Sequence, residues 1–294
     1  DGRRAFGRAL ALHEEYWTLI NLAVIHEQGG LVRFYRGGDP MPWMRHALAY
    51  TTRVLAMSPD LAHFHGVRAR ILLNAARAQQ LRGVDPTALL RRADLSVRAL
   101  FAPPATMPLR PYDVRYRAEL RLMHRVRAAQ WRWQQGEAIG ALLDAVEPDD
   151  LARVRDVPLA QATRVEFDLL RARRALADGD RAAAASVFDA LADVLDRAAP
   201  SGIGLTDAGT YRIWQAELAL LRAAAAPAAD PARERHLRDA VAHAQEAVAR
   251  NRWSQVFAEA LAREIAHLRA HDALLGGPGG AVPQPQPEAG RVRG

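Results

Sequence analysis

Four arginines are spaced so that a helix would carry them along one side. Arg117, Arg121, Arg125 and Arg132 would span about 80° at 100° per residue, next to the apolar side of the same helix. Guanidinium groups bind phosphates and carboxylates in bidentate fashion, so a cluster of them suits an anionic group on a partner. We predict these four as partner-binding residues, and the alternative is a solvated face of the kind that charge stripes usually form.

The histidines lack the spacing of metal ligands. His63 and His65 are two residues apart, so on a helix their side chains point to different sides. His13 is followed by Glu14 and Glu15, whereas the zinc-protease pattern needs a second histidine four residues after the first. We predict no metal site and no cofactor.

The acidic residues and the one short glycine loop show no catalytic pattern. Asp149 and Asp150 are adjacent, so their carboxylates diverge on a helix, and capping of a helix that starts near Leu151 is the better interpretation. The Ser-Gly-Ile-Gly stretch at 201–204 follows a predicted helix rather than the strand that a phosphate-binding loop needs. We predict no catalytic residue in this chain.

Composition limits the class of protein. Hydrophobic residues make up 50% and charged residues 25% of the 294 positions, as in an ordinary globular chain. The absence of cysteine excludes disulfides, thiolate metal sites and a cysteine nucleophile, and it fits a reducing compartment such as the cytoplasm. All 40 basic residues are arginine and the net charge is +7, which favours either an anionic partner such as nucleic acid or the codon bias of a G/C-rich genome.

Apolar residues recur at helical spacing along the chain. One such set steps by four, three, four and three residues: Trp43, Ala47, Tyr50, Val54 and Met57. Sustained alternation typical of strands is missing, and so is any run of about 18 apolar residues that could span a membrane. The pattern therefore predicts an all-α protein with no membrane partner.

Asp-Pro pairs and glycines indicate where the predicted helices begin or are interrupted. Asp39, Asp85 and Asp230 each precede a proline, an order that suits a capping side chain followed by the first helical turn. The Gly29-Gly30 pair lies inside the first predicted helix, where we expect a kink or a break because each glycine costs up to about 1 kcal/mol relative to alanine.

An internal repeat has an offset of 46 residues. The stretch Arg36-Gly37-Gly38-Asp39-Pro40 reappears as Arg82-Gly83-Val84-Asp85-Pro86. Repeats of this length in helical sequence predict antiparallel helix pairs that stack, because one pair cannot bury both of its faces alone. We expect a helical-repeat domain over residues 1–275, with a candidate sub-boundary at 136–157, and a disordered tail at 276–294, where Gly, Pro and Gln dominate.

The repeat resembles the tetratricopeptide-repeat group. That family places small residues where two helices pack closely and a proline after the second helix, as Ala47 and Pro59 do here. The Gly-x-Asp-Pro turn at Gly38-Asp39-Pro40 is similar to the repeat region that follows the catalytic domain of some bacterial serine/threonine protein kinases. The resemblance implies a solenoid, and the start at Asp1 without methionine suggests a piece of a longer protein.

These observations favour a binding function. The leading expectation is a protein–protein interaction or scaffold region of a larger bacterial signalling protein, in which a concave helical surface binds a peptide or protein segment. The first alternative is binding of nucleic acid or another polyanion through the arginine stripe. The second is an enzyme with an unfamiliar site, which would have a deep pocket where titratable groups converge.

Overall fold

The structure is a computed structural model that describes the backbone of residues 15–60, 62–101, 111–154, 158–197, 208–272 and 274. Side chains are described at the same positions except 111–113, 158–160, 193, 196–197 and 208. Within these residues all regular secondary structure is helical, which confirms the predicted all-α class. The predicted tail at 276–294 and the Ser-Gly-Ile-Gly stretch at 201–204 lie outside the described residues.

Twelve helices occupy the described part of the chain. In chain order they are α1 (Tyr16–Tyr35), α2 (Met41–Met57), α3 (Ala62–Gln80), α4 (Thr87–Phe101), α5 (Pro111–Gln134), α6 (Gly140–Asp144), α7 (Pro148–Val154), α8 (Pro158–Ala177), α9 (Arg181–Arg197), α10 (Ala208–Ala225), α11 (Pro231–Arg250) and α12 (Ser254–His271). None of the helices in this part has the length and low charge that a membrane span requires.

The predicted aspartate caps are confirmed at the start of three helices. The Asp39 carboxylate accepts a hydrogen bond from the backbone N–H two residues later at 3.0 Å. Asp85 and Asp230 accept the equivalent bond at 2.8 Å each. Each cap satisfies an N–H group that has no partner within the helix, so the three Asp-Pro pairs fix where α2, α4 and α11 begin.

The 46-residue repeat encodes the same turn twice. At the end of α1 the N–H of Gly37 donates to the carbonyl of Phe34 at 2.8 Å. The next N–H, that of Gly38, donates to the carbonyl of Arg33 at 2.8 Å. The corresponding groups after α3 form the same two bonds at 3.0 and 2.9 Å. Gly37 and Gly83 have φ values of 72° and 69°, which is the left-handed conformation that ends a helix in this motif.

The glycine pair inside α1 does not break the helix. Residues 16–35 form one continuous helix that includes Gly29 and Gly30. A Cβ atom on Gly29 would lie 2.4 Å from the ring of Trp43 in α2, so the missing side chain lets α2 pack closely on α1. The expectation of a break was wrong because close packing between helices outweighs the low helix propensity of glycine.

The longer helices form two layers. Helices α1, α3, α5, α8, α10 and α12 form an inner series in which each helix contacts the next. The outer layer contains α2, α4, α9 and α11, and each of these packs against its neighbour in the chain. The turns between the paired helices are short, which is typical of helices that run antiparallel.

Four apolar clusters follow one another along the chain. The first joins α1 to α5, the second joins α5 to α8, the third joins α8 to α10, and the fourth joins α10 to α12. Each boundary helix contributes one face to the cluster before it and another to the cluster after it. The core is therefore divided between successive helix groups, and α6 and α7 occupy the range where we placed the candidate sub-boundary.

The first and last turns of the described array contact each other. The Asn251 side chain donates to the carbonyl of Phe34 at 3.3 Å, and the Trp253 indole N–H donates to the carbonyl of Gly38 at 3.1 Å. The Arg82 guanidinium lies 4.9 Å from the centre of the Trp253 ring. These contacts bring the two ends of the inner series together.

Candidate binding cavity

Helices of the inner series surround a cavity of about 260 Å³. Its lining comes from α3, α5, α8, α10 and α12, together with the turn after α3. Helices far apart in the chain supply these residues, so the cavity exists only when the array is assembled. We call this space the central cavity.

Aromatic and aliphatic side chains form much of the wall of the central cavity. Trp133 and Trp214 are largely buried, at 8% and 2% exposure, and Leu169, Leu170 and Phe257 extend the apolar surface between them. Large rigid rings beside a few polar groups are typical of sites that bind organic ligands or the side chains of a partner.

One group of charges in the wall links three helices. The Arg127 guanidinium of α5 lies 2.6 Å from the Glu166 carboxylate of α8, and Arg77 of α3 lies 3.1 Å from the same carboxylate. Arg127 and Glu166 are only 2% and 4% exposed. Burial lowers the pKa of Arg127 to about 10, so at neutral pH it remains charged and the pair remains ionic.

A second group of charges contains one arginine and two glutamates, whereas the first contains two arginines and one glutamate. Arg173 of α8 lies 2.6 Å from the Glu264 carboxylate of α12 and 3.5 Å from the Glu217 carboxylate of α10. Although burial acts in the opposite direction, the carboxylates of Glu264 and Glu217 raise the pKa of Arg173. Two carboxylates therefore share one guanidinium in this part of the wall.

The surroundings of Glu217 in the wall disfavour its ionisation. Burial, with the negative charges of Glu264 and Glu166, outweighs the opposing charge of Arg173 and raises the pKa of Glu217 to about 7. Its side chain is 22% exposed although it lies among buried helices, because its accessible part faces the central cavity. At neutral pH this carboxyl group can therefore donate or accept a proton.

The cavity opens to solvent where its lining residues are exposed. Gly83, Gln134 and Arg263 line it and are exposed, so they mark the mouth. The floor contains the buried residues Arg127 and Glu166. A group that enters from the mouth therefore meets the polar rim first and the charged, aromatic interior afterwards.

The charged groups of the wall are guanidinium and carboxylate groups. Among the described residues no three His, Cys, Asp or Glu side chains are grouped so that they could hold a metal ion. Most carboxylates of the cavity are held by a guanidinium, and arginine does not exchange protons at neutral pH. What the wall offers a bound molecule is aromatic surface, guanidinium donors and the titratable Glu217.

The predicted arginine stripe does not line the central cavity. Arg117 is 8% exposed and lies 5.7 Å from the centre of the Phe101 ring. Arg121 donates to Glu147 at 2.9 Å and to Asp150 at 2.7 Å. These two arginines connect α5 to the outer elements beside it.

The other two arginines of the stripe lie further along α5. Arg125 is half-buried, and Arg132 is 52% exposed and lies 3.7 Å from the Glu137 carboxylate. Partner binding by the stripe stays a prediction, and the structure brings the four side chains to different surroundings. We expected Asp150 to cap a helix that starts near Leu151, but the helix α7 begins at Pro148, so Asp150 lies in its first turn. Its carboxylate accepts a hydrogen bond from Arg121.

The histidines lie where their spacing indicated. The His63 ring lies 6.1 Å from the ring of Phe64 and 6.3 Å from that of Trp17. His65 is hydrogen-bonded through Nε2 to the carbonyl of Pro59 at 2.8 Å. The two side chains therefore take part in different local contacts.

Sequence reasoning missed the residues of the central cavity. Arg127 lies in the helix of the predicted arginine stripe, and Glu166, Arg173 and Glu217 lie beside apolar residues at helical spacing, but none of the four was singled out. One signal was available: a charged residue inside the apolar face of a helix predicts a buried partner, since an unpaired buried charge is very costly. The identity of the partner could not be found in this way.

Comparison of the chain with known protein families, curated proteins and solved structures finds no match.

Proposed function

We propose that this chain is a non-catalytic binding region of a larger bacterial signalling protein, built as a tetratricopeptide-like array of antiparallel helix pairs. In this proposal a peptide or protein segment in the cytoplasm lies across the mouth of the central cavity and inserts one or two side chains. The observation that carries the proposal is the cavity itself, which five helices line with aromatic and charged residues.

The size of the cavity supports insertion of side chains rather than of a whole chain. A volume of about 260 Å³ is slightly below the range of about 300–1,000 Å³ that holds a drug-sized ligand. Anchor residues that fill a pocket at the centre of an interface supply most of the affinity of many complexes. The aromatic wall provides the apolar contact, and the guanidinium groups provide hydrogen bonds to the inserted group.

A random peptide library displayed on phage tests the proposal. We expect selection on the wild-type chain to enrich peptides whose affinity falls at least tenfold when the cavity is filled by Ala260→Trp. Ala260 lies in the wall, so the new ring would occupy the space of the inserted side chain. The measurement is the dissociation constant of synthetic versions of the enriched peptides.

The matched control is Ala49→Trp, which adds the same ring at an exposed position of α2. The control should leave the affinity within about twofold of wild type. Selection that enriches no peptide, or peptides that bind both variants as well as wild type, would contradict the proposal.

A second candidate function is acid–base catalysis at Glu217. The observation in its favour is that burial raises the pKa of this cavity-facing carboxyl to about 7, which is the range of an efficient general acid or base. A panel of hydrolase and isomerase substrates tests it. An activity abolished by Glu217→Gln, and retained by Glu259→Gln on the exposed side of α12, would favour catalysis over peptide binding.

A further inference from the structure

A second concave surface lies outside the central cavity, where the two ends of the array meet. It is an open groove of about 770 Å³ between the α1–α2 turn and the α11–α12 turn. Its lining includes four arginines and, among the described residues, no aspartate or glutamate. We call it the basic groove.

Three of the four arginines have no acidic partner among the residues that the structure describes. Arg33, Arg36 and Arg252 are exposed and form no ion pair with any described residue. Arg250 is paired with Glu246 at 2.7 Å. Elsewhere in the described chain many arginines are paired, so three adjacent arginines without a carboxylate leave a local excess of positive charge.

The acidic residue that follows α1 in the chain does not neutralise this charge. The Asp39 carboxylate accepts a hydrogen bond from Arg82 at 2.8 Å and also caps α2. The charge therefore stays available to an anionic group that arrives from solvent.

Helix dipoles do not explain the positions of all four arginines of the basic groove. Arg33 and Arg250 lie in the last turns of α1 and α11, where a cation stabilises the helix C-terminus. Arg36 is the C-cap residue of α1, where the same argument applies. Arg252 lies just before the N-terminus of α12, where a cation does not stabilise the helix, and it extends the positive surface across the groove.

The floor of the groove is held in place by the contacts that join the ends of the array. Asn251 and Trp253 donate hydrogen bonds to the carbonyls of Phe34 and Gly38. The Arg252 guanidinium lies 4.8 Å from the centre of the Trp253 ring, which limits its motion. A ligand would therefore meet arginines whose backbone positions are already fixed, and less entropy is lost on binding.

We propose that the basic groove binds an acidic segment of a partner protein, with Arg33, Arg36 and Arg252 each paired to a carboxylate. Guanidinium and carboxylate groups match in charge and in bidentate geometry. Val32, at 49% exposure, and Trp43 add apolar surface to the same groove, which suits a peptide with an apolar residue between its acidic ones. The proposal does not depend on the central cavity.

A protein segment fits the groove better than a nucleic acid does. Only three arginines without an acidic partner among the described residues are grouped here, fewer than the roughly 6–10 phosphate contacts from which DNA-binding proteins gain their affinity. Nucleic-acid surfaces need a longer track of basic residues along the backbone of the ligand. The groove is short and is bounded by two turns.

Binding of a fluorescein-labelled hexaglutamate peptide to the full chain tests the proposal. We expect the triple variant Arg33→Gln/Arg36→Gln/Arg252→Gln to weaken the dissociation constant about tenfold or more, since each exposed ion pair adds a modest increment. The control is Arg45→Gln/Arg91→Gln/Arg238→Gln, which removes three exposed arginines outside the groove. The control should change the affinity by less than about twofold.

Three outcomes would overturn the proposal. The first is no binding of hexaglutamate to the wild-type chain, and the second is equal loss of affinity in the two triple variants. The third is tighter binding of a single-stranded oligonucleotide with six phosphates, which would make a nucleic acid the ligand. The cavity-filling variant Ala260→Trp should leave hexaglutamate binding unchanged. The proposal for the basic groove and the proposal for the central cavity can therefore be contradicted separately.

Discussion

At the scale of single residues, the wall of the central cavity contains charged groups that are buried or partly buried. Arg127 and Glu166 are almost fully buried, and Glu217 is protonated at a pH where an exposed glutamate is ionised. Charges in such surroundings are retained only when partners are well placed, because desolvation is costly. Their removal should therefore have effects much larger than those of surface charges.

The stability of the protein should depend on pH through Glu217. Its pKa in the folded state is raised from 4.5 to about 7, so between these values the unfolded chain loses a proton that the folded chain keeps. Unfolding becomes easier as pH rises through this window, by up to about 3 kcal/mol. Urea unfolding from pH 4.5 to 8 should show this loss in wild type and a smaller loss in Glu217→Gln.

The control for this titration is Glu259→Gln, an exposed change on α12. It should preserve the pH dependence of the wild type. If wild type and Glu217→Gln lose stability in parallel across the window, Glu217 is not the group responsible.

The buried ion pair should be much more sensitive than an exposed one. Arg127→Met leaves the Glu166 carboxylate buried with only Arg77 nearby, and we expect a loss of about 3 kcal/mol. Arg269→Met breaks an exposed pair with Glu234, whose side chains are 55% and 52% exposed, and should cost less than about 1 kcal/mol. Chemical denaturation of the two variants gives both values, and equal losses would contradict the burial argument.

At the scale of helices, close packing between two helices can outweigh the low helix propensity of a single residue. Gly29 is an unfavourable residue inside α1, yet the ring of Trp43 occupies the space where its side chain would be. The first helix pair therefore depends on a glycine in a helix interior.

Gly29→Ala should destabilise the protein, although helix propensity alone predicts a gain of up to about 1 kcal/mol. The new Cβ would lie 2.4 Å from the Trp43 ring, and overpacking of this kind typically costs about 1–3 kcal/mol. Thermal and urea unfolding should show the net loss. In a Trp43→Leu background the same change should be neutral or stabilising, and a loss of equal size there would exclude the ring as the cause.

Local signals predicted the elements well. The Asp-Pro pairs at Asp39, Asp85 and Asp230 predicted helix starts because capping needs only a few adjacent residues. The repeated turn was predictable for the same reason. The sequence did not identify the pairing of Arg127 with Glu166, because 40 arginines offer many equivalent partners and only the packing of α5 on α8 selects one.

At the scale of the whole molecule, the contact between the α1–α2 turn and the α11–α12 turn forms the basic groove. The hydrogen bonds of Asn251 and Trp253 join turns that are distant in the chain. No periodic pattern in the sequence predicts such a contact. The two bonds join residues that are 217 and 215 positions apart in the chain, beyond the range of the local patterns that predicted the helices.

Trp253→Phe should loosen the closure while leaving the helices intact. The variant keeps an aromatic ring beside Arg82 but removes the indole N–H that donates to Gly38 at 3.1 Å. We expect a loss of about 1 kcal/mol and faster amide hydrogen exchange in the turn at residues 36–40 and at the start of α12. Exposed Trp17 of α1 provides the control Trp17→Phe, which should leave exchange in these segments unchanged. Unaltered exchange in Trp253→Phe would contradict a role in closure.

The joined ends also limit how this architecture can change in evolution. An open array can gain or lose a helix pair by duplication or deletion, since only the neighbours of that pair must adapt. Here an extra pair would push the turn after α1 away from the turn before α12, and Asn251 could no longer reach Phe34. Relatives of this chain that keep the closure should therefore have the same number of helix pairs, and should differ instead in loop length and in the residues of the wall.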